Sequence, residues 1–271
     1  MTPPGEHGDG RLVLTGACVV VTGAGSGIGA AMARRFAADG ARVVVNDLDA
    51  DAAKAVADEI GGLAHPADIA RLDEVSALVE AATTAFGEVD LFCANAGVAV
   101  GGTEQTATPG GWELAWQVNV MSHVHAAHVL LPGWLSRGRG RLITTVSAAG
   151  ILTMLGSAPY SVTKHAALAF SEWLRATYSH RGIVVQSLCP QGVRTPLFDS
   201  TGGLGEAVLG ETALQPEQVA DAVALALEGE RFLILPHPEV ADFAVRRATD
   251  PDRWLAGMNR VQQSVEGAGL L

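Results

Sequence analysis

Basic runs, cysteines and long apolar stretches are all scarce in this chain. Its 18 lysines and arginines are outnumbered by 29 aspartates and glutamates, for a net charge of −11, and they never cluster. A nucleic-acid or anionic-membrane partner calls for a positive face, so neither is expected. No apolar run approaches the roughly 20 residues that cross a bilayer. The opening "MTPPGEHGDGRLVL" lacks the basic start and apolar centre of a secretion signal. The three cysteines, Cys18, Cys93 and Cys189, stand far apart in strand-like apolar runs, with neither metal-ligand nor redox spacing. Reduced thiols in a cytoplasmic protein are the expectation.

What is abundant is apolar surface: 48% of the 271 residues are hydrophobic, enough for a substantial core. Strand-length runs alternate with helical patterns throughout. "ACVVVTG" is followed by "SGIGAAMARRFAADG", and "ARVVVND" by "DADAAKAVADEIG". "VDLFCANAG" precedes a helix expected from Trp112 to Ser136, "GRLITTVS" another, and "GIVVQSLCP" leads towards "QPEQVADAVALALEG" and "RFLIL". Strands without polar alternation, separated by helices, predict a parallel sheet covered on both faces. Glycines 40, 61, 87, 182 and 229 fall where those helices should end. No linker or change of composition divides the chain. The expectation is α/β, a single Rossmann-like, doubly wound domain over residues 1–271.

The first strand-to-helix turn reads "TGAGSGIG", with Gly23, Gly25, Gly27 and Gly29. It departs from G-x-G-x-x-G, because Ile28 stands in the sixth place. Its position still suits a pyrophosphate: a tight turn, then the free N–H groups of a helix start. Asp47 follows Gly27 by twenty residues, at the end of the second strand. A carboxylate there accepts the adenosine ribose hydroxyls and repels a 2′-phosphate, and neither Ser26, Asn46 nor Leu48 supplies a cation. NAD is therefore expected over NADP.

A second cluster lies in "YSVTK", residues 160–164, inside an otherwise apolar helical stretch. Positions i and i+4 share a helix face, so the Tyr160 phenol and the Lys164 ammonium can meet. An ammonium one turn away should bring the phenol below its ordinary pKa of about 10, the tuning that acid–base work requires.

With these motifs in register over residues 12 to 235, the chain resembles the short-chain dehydrogenase/reductase family. "TGAGSGIG" looks like the family's cofactor turn and "CANAG" (Asn95, Ala96, Gly97) like its fourth-strand motif. Asn119 in "WQVNV", Ser147 in "ITTVS", Tyr160 and Lys164 match its catalytic tetrad. The resemblance implies an NAD-dependent alcohol dehydrogenase or carbonyl reductase. Tyr160 would be the acid–base group, Ser147 would hold the substrate oxygen, and Asn119 would anchor a proton-relaying water. It implies cofactor contacts from Gly23, Ser26, Gly27, Ile28, Gly29, Asp47, Asn95, Ala96, Gly97, Tyr160, Lys164, Pro190 and Val193. Asp68 matches the position that meets adenine, and Thr195 the threonine that holds the nicotinamide carboxamide. A small-molecule substrate and a homodimer or homotetramer are implied as well.

Two departures stand out. Gln191 replaces the glycine that usually follows Pro190, and the chain runs past the usual close into "RFLILPHPEV" and a further segment, residues 236–271. Phe243, Val245, Trp254, Leu255, Met258 and Val261 recur in that segment at helix-like spacing, so an amphipathic extension packed near residues 196–210 and the substrate is expected. The segments 97–102, 149–157 and 196–210 should surround the nicotinamide, and their large side chains are mostly aliphatic. They favour a lipophilic secondary alcohol or ketone over a phosphorylated compound. His123, His125 and His128 of "HVHAAH" look like a metal cluster. On a helix, however, His123 lies about 160° from His125, so no metal site is expected. The competing function is a cofactor-binding regulator or scaffold without turnover, which would have no use for the tetrad.

Overall fold

The run Cys18–Val21 has no polar residue to turn outward, and all of it is buried. It forms β1, near the middle of the sheet in the computed structural model, which describes residues 10–102, 106–200 and 202–269. The other strands are β2 (Arg42–Val45), β3 (Leu63–Ala64), β4 (Val89–Ala94), β5 (Gly140–Thr145), β6 (Ile183–Leu188) and β7 (Leu233–Ile234). They pair in the order β3-β2-β1-β4-β5-β6-β7, every pair parallel. The order reverses between β1 and β4, and at such a switch point the carboxyl ends of the strands open a crevice.

The helices are α1 (Gly27–Ala38), α2 (Ala50–Ile60), α3 (Leu72–Phe86), α4 (Pro109–Trp116), α5 (Ser122–Arg137) and α6 (Ala149–Leu152). They continue with α7 (Ala158–Tyr178), α8 (Pro196–Asp199), α9 (Gly202–Leu209), α10 (Pro216–Ala226), α11 (Glu239–Thr249) and α12 (Pro251–Gly267). α1, α2 and α10 bury Met32, Phe36, Val56 and Val223 against one face of the sheet. α3, α5 and α7 bury Leu78, Leu130, Trp134 and Leu174 against the other. Both faces are covered, as the unbroken apolar strands require.

The helix expected over 112–136 is interrupted. Gln117–Met121 is a π-helical turn between α4 and α5, and such a turn carries an extra residue and shifts the face presented beyond it. Asn119, at its centre, is fully buried. Gly61 and Gly87 close α2 and α3, whereas α10 ends at Ala226, ahead of Gly229. The extension folds as the pair α11–α12. Val240, Phe243 and Trp254 pack against Ala148 and Leu152, while Val245 and Leu255, expected on the same apolar face, are 65% and 59% exposed. Val245 lies about 160° from Phe243 around α11, and Leu255 about 100° from Trp254 around α12, so each turns away from the face that its neighbour buries.

At the amino-terminal edge of the sheet, Arg141 in β5 is completely buried. It donates to the carbonyls of Leu227 (3.2 Å), Gly229 (3.1 Å) and Gly10 (2.5 Å) and to Gln186 Oε1 (3.2 Å). Beside it Gly140 lies under the Trp134 indole, where an added Cβ would come within 2.1 Å of the ring. The exposed Gly133 of α5 has no such neighbour, with Glu88 Oε2 the nearest atom at 4.0 Å. One substitution should therefore have opposite signs at these two sites. Urea unfolding of Gly140→Ala should report a loss of about 1–3 kcal/mol from overpacking. Gly133→Ala should gain about 0.5–1 kcal/mol from helix propensity.

Candidate active site

The carboxyl ends of β1, β4, β5 and β6 open into one elongated cavity of about 960 Å³. Its first wall is the β1–α1 turn. Gly23 has φ +60° and its Cα faces Ala96, where an added Cβ would lie 2.8 Å from the Ala96 Cα. Gly29 is tighter still, since a Cβ there would come within 2.1 Å of the Gly23 carbonyl. The turn thus brings α1 close beneath β1. Ser26 caps α1 without a side-chain hydrogen bond, so the first-turn amides at Gly27, Ile28 and Gly29 border the cavity as an anion-seeking edge. Asp47 stands at the end of β2, its Oδ2 accepting from Gly25 N (2.9 Å) and its Oδ1 from Asp49 N (3.1 Å). Asp68 lies on the same wall and accepts from Ala70 N. This donor set, with a carboxylate at the far end and no lysine or arginine among the described lining beside it, fits a dinucleotide with free ribose hydroxyls.

The middle of the cavity is set by β4 and β5. Asn95 donates to Thr22 O (2.9 Å) and accepts from Thr145 Oγ1 (3.0 Å), which ties β1, β4 and β5 together. Ser147, Tyr160 and Lys164 converge on this region. Lys164 is 2% exposed and donates to Thr145 O at 2.9 Å, with its Nζ 5.6 Å from the centre of the Tyr160 ring. Gly97 passes between the Lys164 ammonium and the Asn119 amide: a Cβ there would lie 3.3 Å from Nζ and 3.2 Å from Asn119 Oδ1. Pro190, Val193 and Thr195 close the side opposite α1. Thr195 caps α8 by accepting from Phe198 N.

Asn119 is the member of the expected set that lies off the cavity wall. Its Oδ1 accepts from Val98 N (2.9 Å), and its Nδ2 donates to Val98 O (3.0 Å) and Thr163 Oγ1 (3.1 Å). The side chain is therefore spent on holding the loop segment that follows Gly97.

Electrostatics differ from the expectation for the phenol. Burial pushes the Tyr160 hydroxyl above its ordinary range, the nearby Ser147 hydroxyl pulls it back, and buried Cys189 adds to the rise. The Lys164 ammonium, hydrogen-bonded to Thr145 O, does not offset that rise. Burial draws Lys164 itself down to about 8. At neutral pH the pair is an ammonium and a neutral phenol.

The other half of the cavity is apolar. Val98, Leu152, Met154 and Phe198 face Phe243, Trp254, Met258 and Val261 from the α11–α12 pair. Segment 97–102 contributes Gly97, Val98 and Ala99, and segment 149–157 contributes Ala149 and residues 152–155. Thr153 in that segment has φ +79°, a conformation that costs a β-branched residue about 1–3 kcal/mol. Nothing in the sequence marks it. Gln191, noticed only as a departure, also lines the cavity. The histidines do not gather: His123 is fully buried, His125 approaches Ile69 O and His128 is exposed. Among the described residues no group of three could hold a metal. Cys93 and Cys189 are buried off the cavity, and burial raises both thiols, Cys189 to about 12.

Residues 17–202 match the family model for short chain dehydrogenases. The chain is 37% identical over 232 residues to 1-deoxy-11-beta-hydroxypentalenate dehydrogenase of Streptomyces avermitilis, covering 81% of this chain and 84% of that protein. It is 32% identical over 235 residues to cyclohexanol dehydrogenase of an Acinetobacter species, covering 83% and 93%. A short chain dehydrogenase/reductase from Burkholderia phymatum, solved in complex with NAD, superposes with a TM-score of 0.83 at 28% identity, over 89% of this chain and 96% of that one.

The raised phenol can be measured directly, because the chain has only two tyrosines. In a Tyr178→Phe background, alkaline ultraviolet difference spectra of the protein alone should place Tyr160 above the ordinary value of about 10. A midpoint below that value would mean that the Lys164 ammonium outweighs burial.

Proposed function

The chain belongs to the short-chain dehydrogenase family, and on that premise we propose that it transfers a hydride between NAD and a lipophilic secondary alcohol or its ketone. The observation that carries this reading is the meeting of Ser147, Tyr160 and Lys164 with an apolar half-cavity in one space. Bound NAD supplies a hydride acceptor at C4 of its nicotinamide and, when oxidised, a positive charge.

Tyr160 takes the alcohol proton while Ser147 holds the same oxygen, which orients the carbon that gives up hydride. The phenol needs help to ionise, since burial opposes it. Lys164, held at Thr145 O within 5.6 Å of the ring centre, supplies one positive charge to the phenolate and offers its remaining N–H groups to the nicotinamide ribose. Asn119, its side chain committed to Val98 and Thr163, fixes the segment after Gly97 beside Lys164, where a relaying water would be held. Gly23, Ser26, Gly27, Ile28 and Gly29 cradle the pyrophosphate. Asp47 takes the ribose hydroxyls and Asp68 the adenine, while Asn95, Ala96, Pro190, Val193 and Thr195 border the nicotinamide end.

The substrate class follows from what the apolar half offers. Among the described lining residues Lys164 is the one cation, and it is already engaged. A substrate carboxylate or phosphate would find no partner, whereas a neutral alicyclic or aliphatic alcohol would be enclosed by aliphatic and aromatic surface. Of the two relatives, cyclohexanol dehydrogenase is named for a neutral alicyclic alcohol, and the other for a hydroxylated carboxylate, whose charge this apolar wall suits less well. In this reading the extension, residues 236–271, forms the outer wall of the substrate site. A homodimer or homotetramer is part of the proposal, supported by exposed Trp116, Val162 and Trp173 on α4 and α7. No helix of the described residues is long and apolar enough to cross a membrane, and a reducing, cytoplasmic setting suits the three free thiols.

A turnover screen of lipophilic alcohols and ketones with NAD(H) tests the reading. Tyr160→Phe keeps the ring and should lower kcat by about 10²–10⁴-fold while NADH still binds by fluorescence. Near-full activity of that variant would remove the phenol from the mechanism. NADH binding without turnover of any alcohol by the unaltered protein would favour the regulator or scaffold instead.

Cofactor choice gives an independent check. NAD should be used with a higher kcat/KM than NADP, and Asp47→Ala should narrow the gap by removing the charge that repels a 2′-phosphate. Equal use of both cofactors by the unaltered chain would count against the role given to Asp47.

A further inference from the structure

The two places where this sequence leaves its family's pattern touch each other. Gln191, in the position usually held by glycine, donates its backbone N–H to His237 Nδ1 at 3.1 Å. Its side-chain amide donates to Glu239 Oε1 at 3.0 Å. His237 and Glu239 both belong to the extension, and Glu239 is the first residue of α11. The imidazole is 3% exposed. Its ring sits where three segments meet: the loop after β6 at Gly192, the turn before α10 at Thr212, and the entry to α11. One residue back from Gln191, the Pro190 carbonyl accepts from Ala148 N (2.8 Å), next to Ser147. Beyond Glu239 the same helix carries Phe243 to the cavity, and α12 carries Trp254 and Met258.

We propose that Gln191, His237 and Glu239 form a latch that holds the α11–α12 pair against the substrate side of the cavity, which makes them positioning residues for the alcohol. The proposal rests on reading the apolar half-cavity as the alcohol site. The latch requires a neutral imidazole. Nδ1 accepts from Gln191, so the ring proton sits on Nε2, which has no hydrogen-bond partner. A second proton on Nδ1 would set two N–H groups against each other. Burial works in the same direction and lowers the His237 pKa from its ordinary value, although Glu239 and the backbone at Thr212 and Gly192 favour the proton. Of the other charges on the packed elements, Arg194 of the 190–195 loop is paired with Glu206 of α9, and Glu211 is exposed. The sign follows: the latched form has the lower pKa, so the opened form takes up protons first, and latching weakens as pH falls below about 6.5.

The experiment measures KM for cyclohexanol and for NAD between pH 7.5 and 5.5, with amide hydrogen exchange of residues 239–267 compared among variants at one pH. For the unaltered chain, KM for cyclohexanol should rise about three- to tenfold in acid, the scale of one hydrogen bond, and KM for NAD much less. His237→Asn keeps an acceptor near Nδ1 but cannot titrate, so its KM should not rise in acid. His237→Ala should have a high KM at both pH values and faster exchange in α11 and α12. Glu239→Gln keeps the amide contact and removes the charge that favours the imidazolium, so the acid rise should grow. An acid rise in His237→Asn equal to that of the unaltered chain would overturn the latch. So would a His237→Ala protein with unchanged exchange. If no alcohol is turned over, the alcohol reading fails, and the exchange comparison still decides whether the latch exists.

Discussion

A buried ammonium is expensive to hold, and the centre of this protein is arranged around one. Lys164 reaches from α7 to the carbonyl of Thr145 at the end of β5. Desolvation disfavours its charge, and the contact with Thr145 compensates only while α7 stays docked against β5. Gly97 fits closely beside it, where an added Cβ would press on Nζ at 3.3 Å. From its π-helical turn Asn119 grips the segment beyond Gly97. The position of Tyr160, one turn earlier on α7, is then a consequence of where Lys164 is anchored.

The same anchor explains why much of the fold and site could be read from the sequence. Burial on both faces leaves strands no polar alternation, so "CVVV" and "RVVV" announce a parallel sheet. A pair spaced i, i+4 on one helix needs only helical geometry to be brought together, and the glycine turn needs only local backbone freedom. What the sequence concealed depends on contacts distant along the chain. The π turn at Asn119 leaves no compositional mark. The hydrogen bond from the Lys164 ammonium to Thr145 O depends on strand register. The link between Gln191 and Glu239 spans the loop after β6 and the whole of α10 and β7. In the extension, helix-like spacing alone placed Val245 and Leu255 on the buried face, although each stands within two residues of the aromatic that its own helix buries and so points elsewhere.

The cavity divides into chemically distinct halves without a domain boundary. One end offers helix amides and two carboxylates, Asp47 and Asp68, and the other offers almost only carbon. The polar end is built from β1, β2 and the loop after β3, which come early in the chain, and its geometry is local. The apolar end gathers side chains from α6, α8, α9 and the last two helices. This division lets the apolar wall vary while the polar end keeps one shape, and it is the reason that likeness to relatives speaks more clearly about the cofactor than about the alcohol.

Arg141 gives the opposite edge of the sheet a different character. Its guanidinium stays charged at every pH the protein can survive. It gathers the carbonyls of Gly10, Leu227 and Gly229 together with the amide of Gln186. The base of the molecule is therefore clamped by a group that does not titrate, while the rim carries Lys164, His237 and Tyr160, which do. Acidity can then act on the groups of the rim without loosening that clamp.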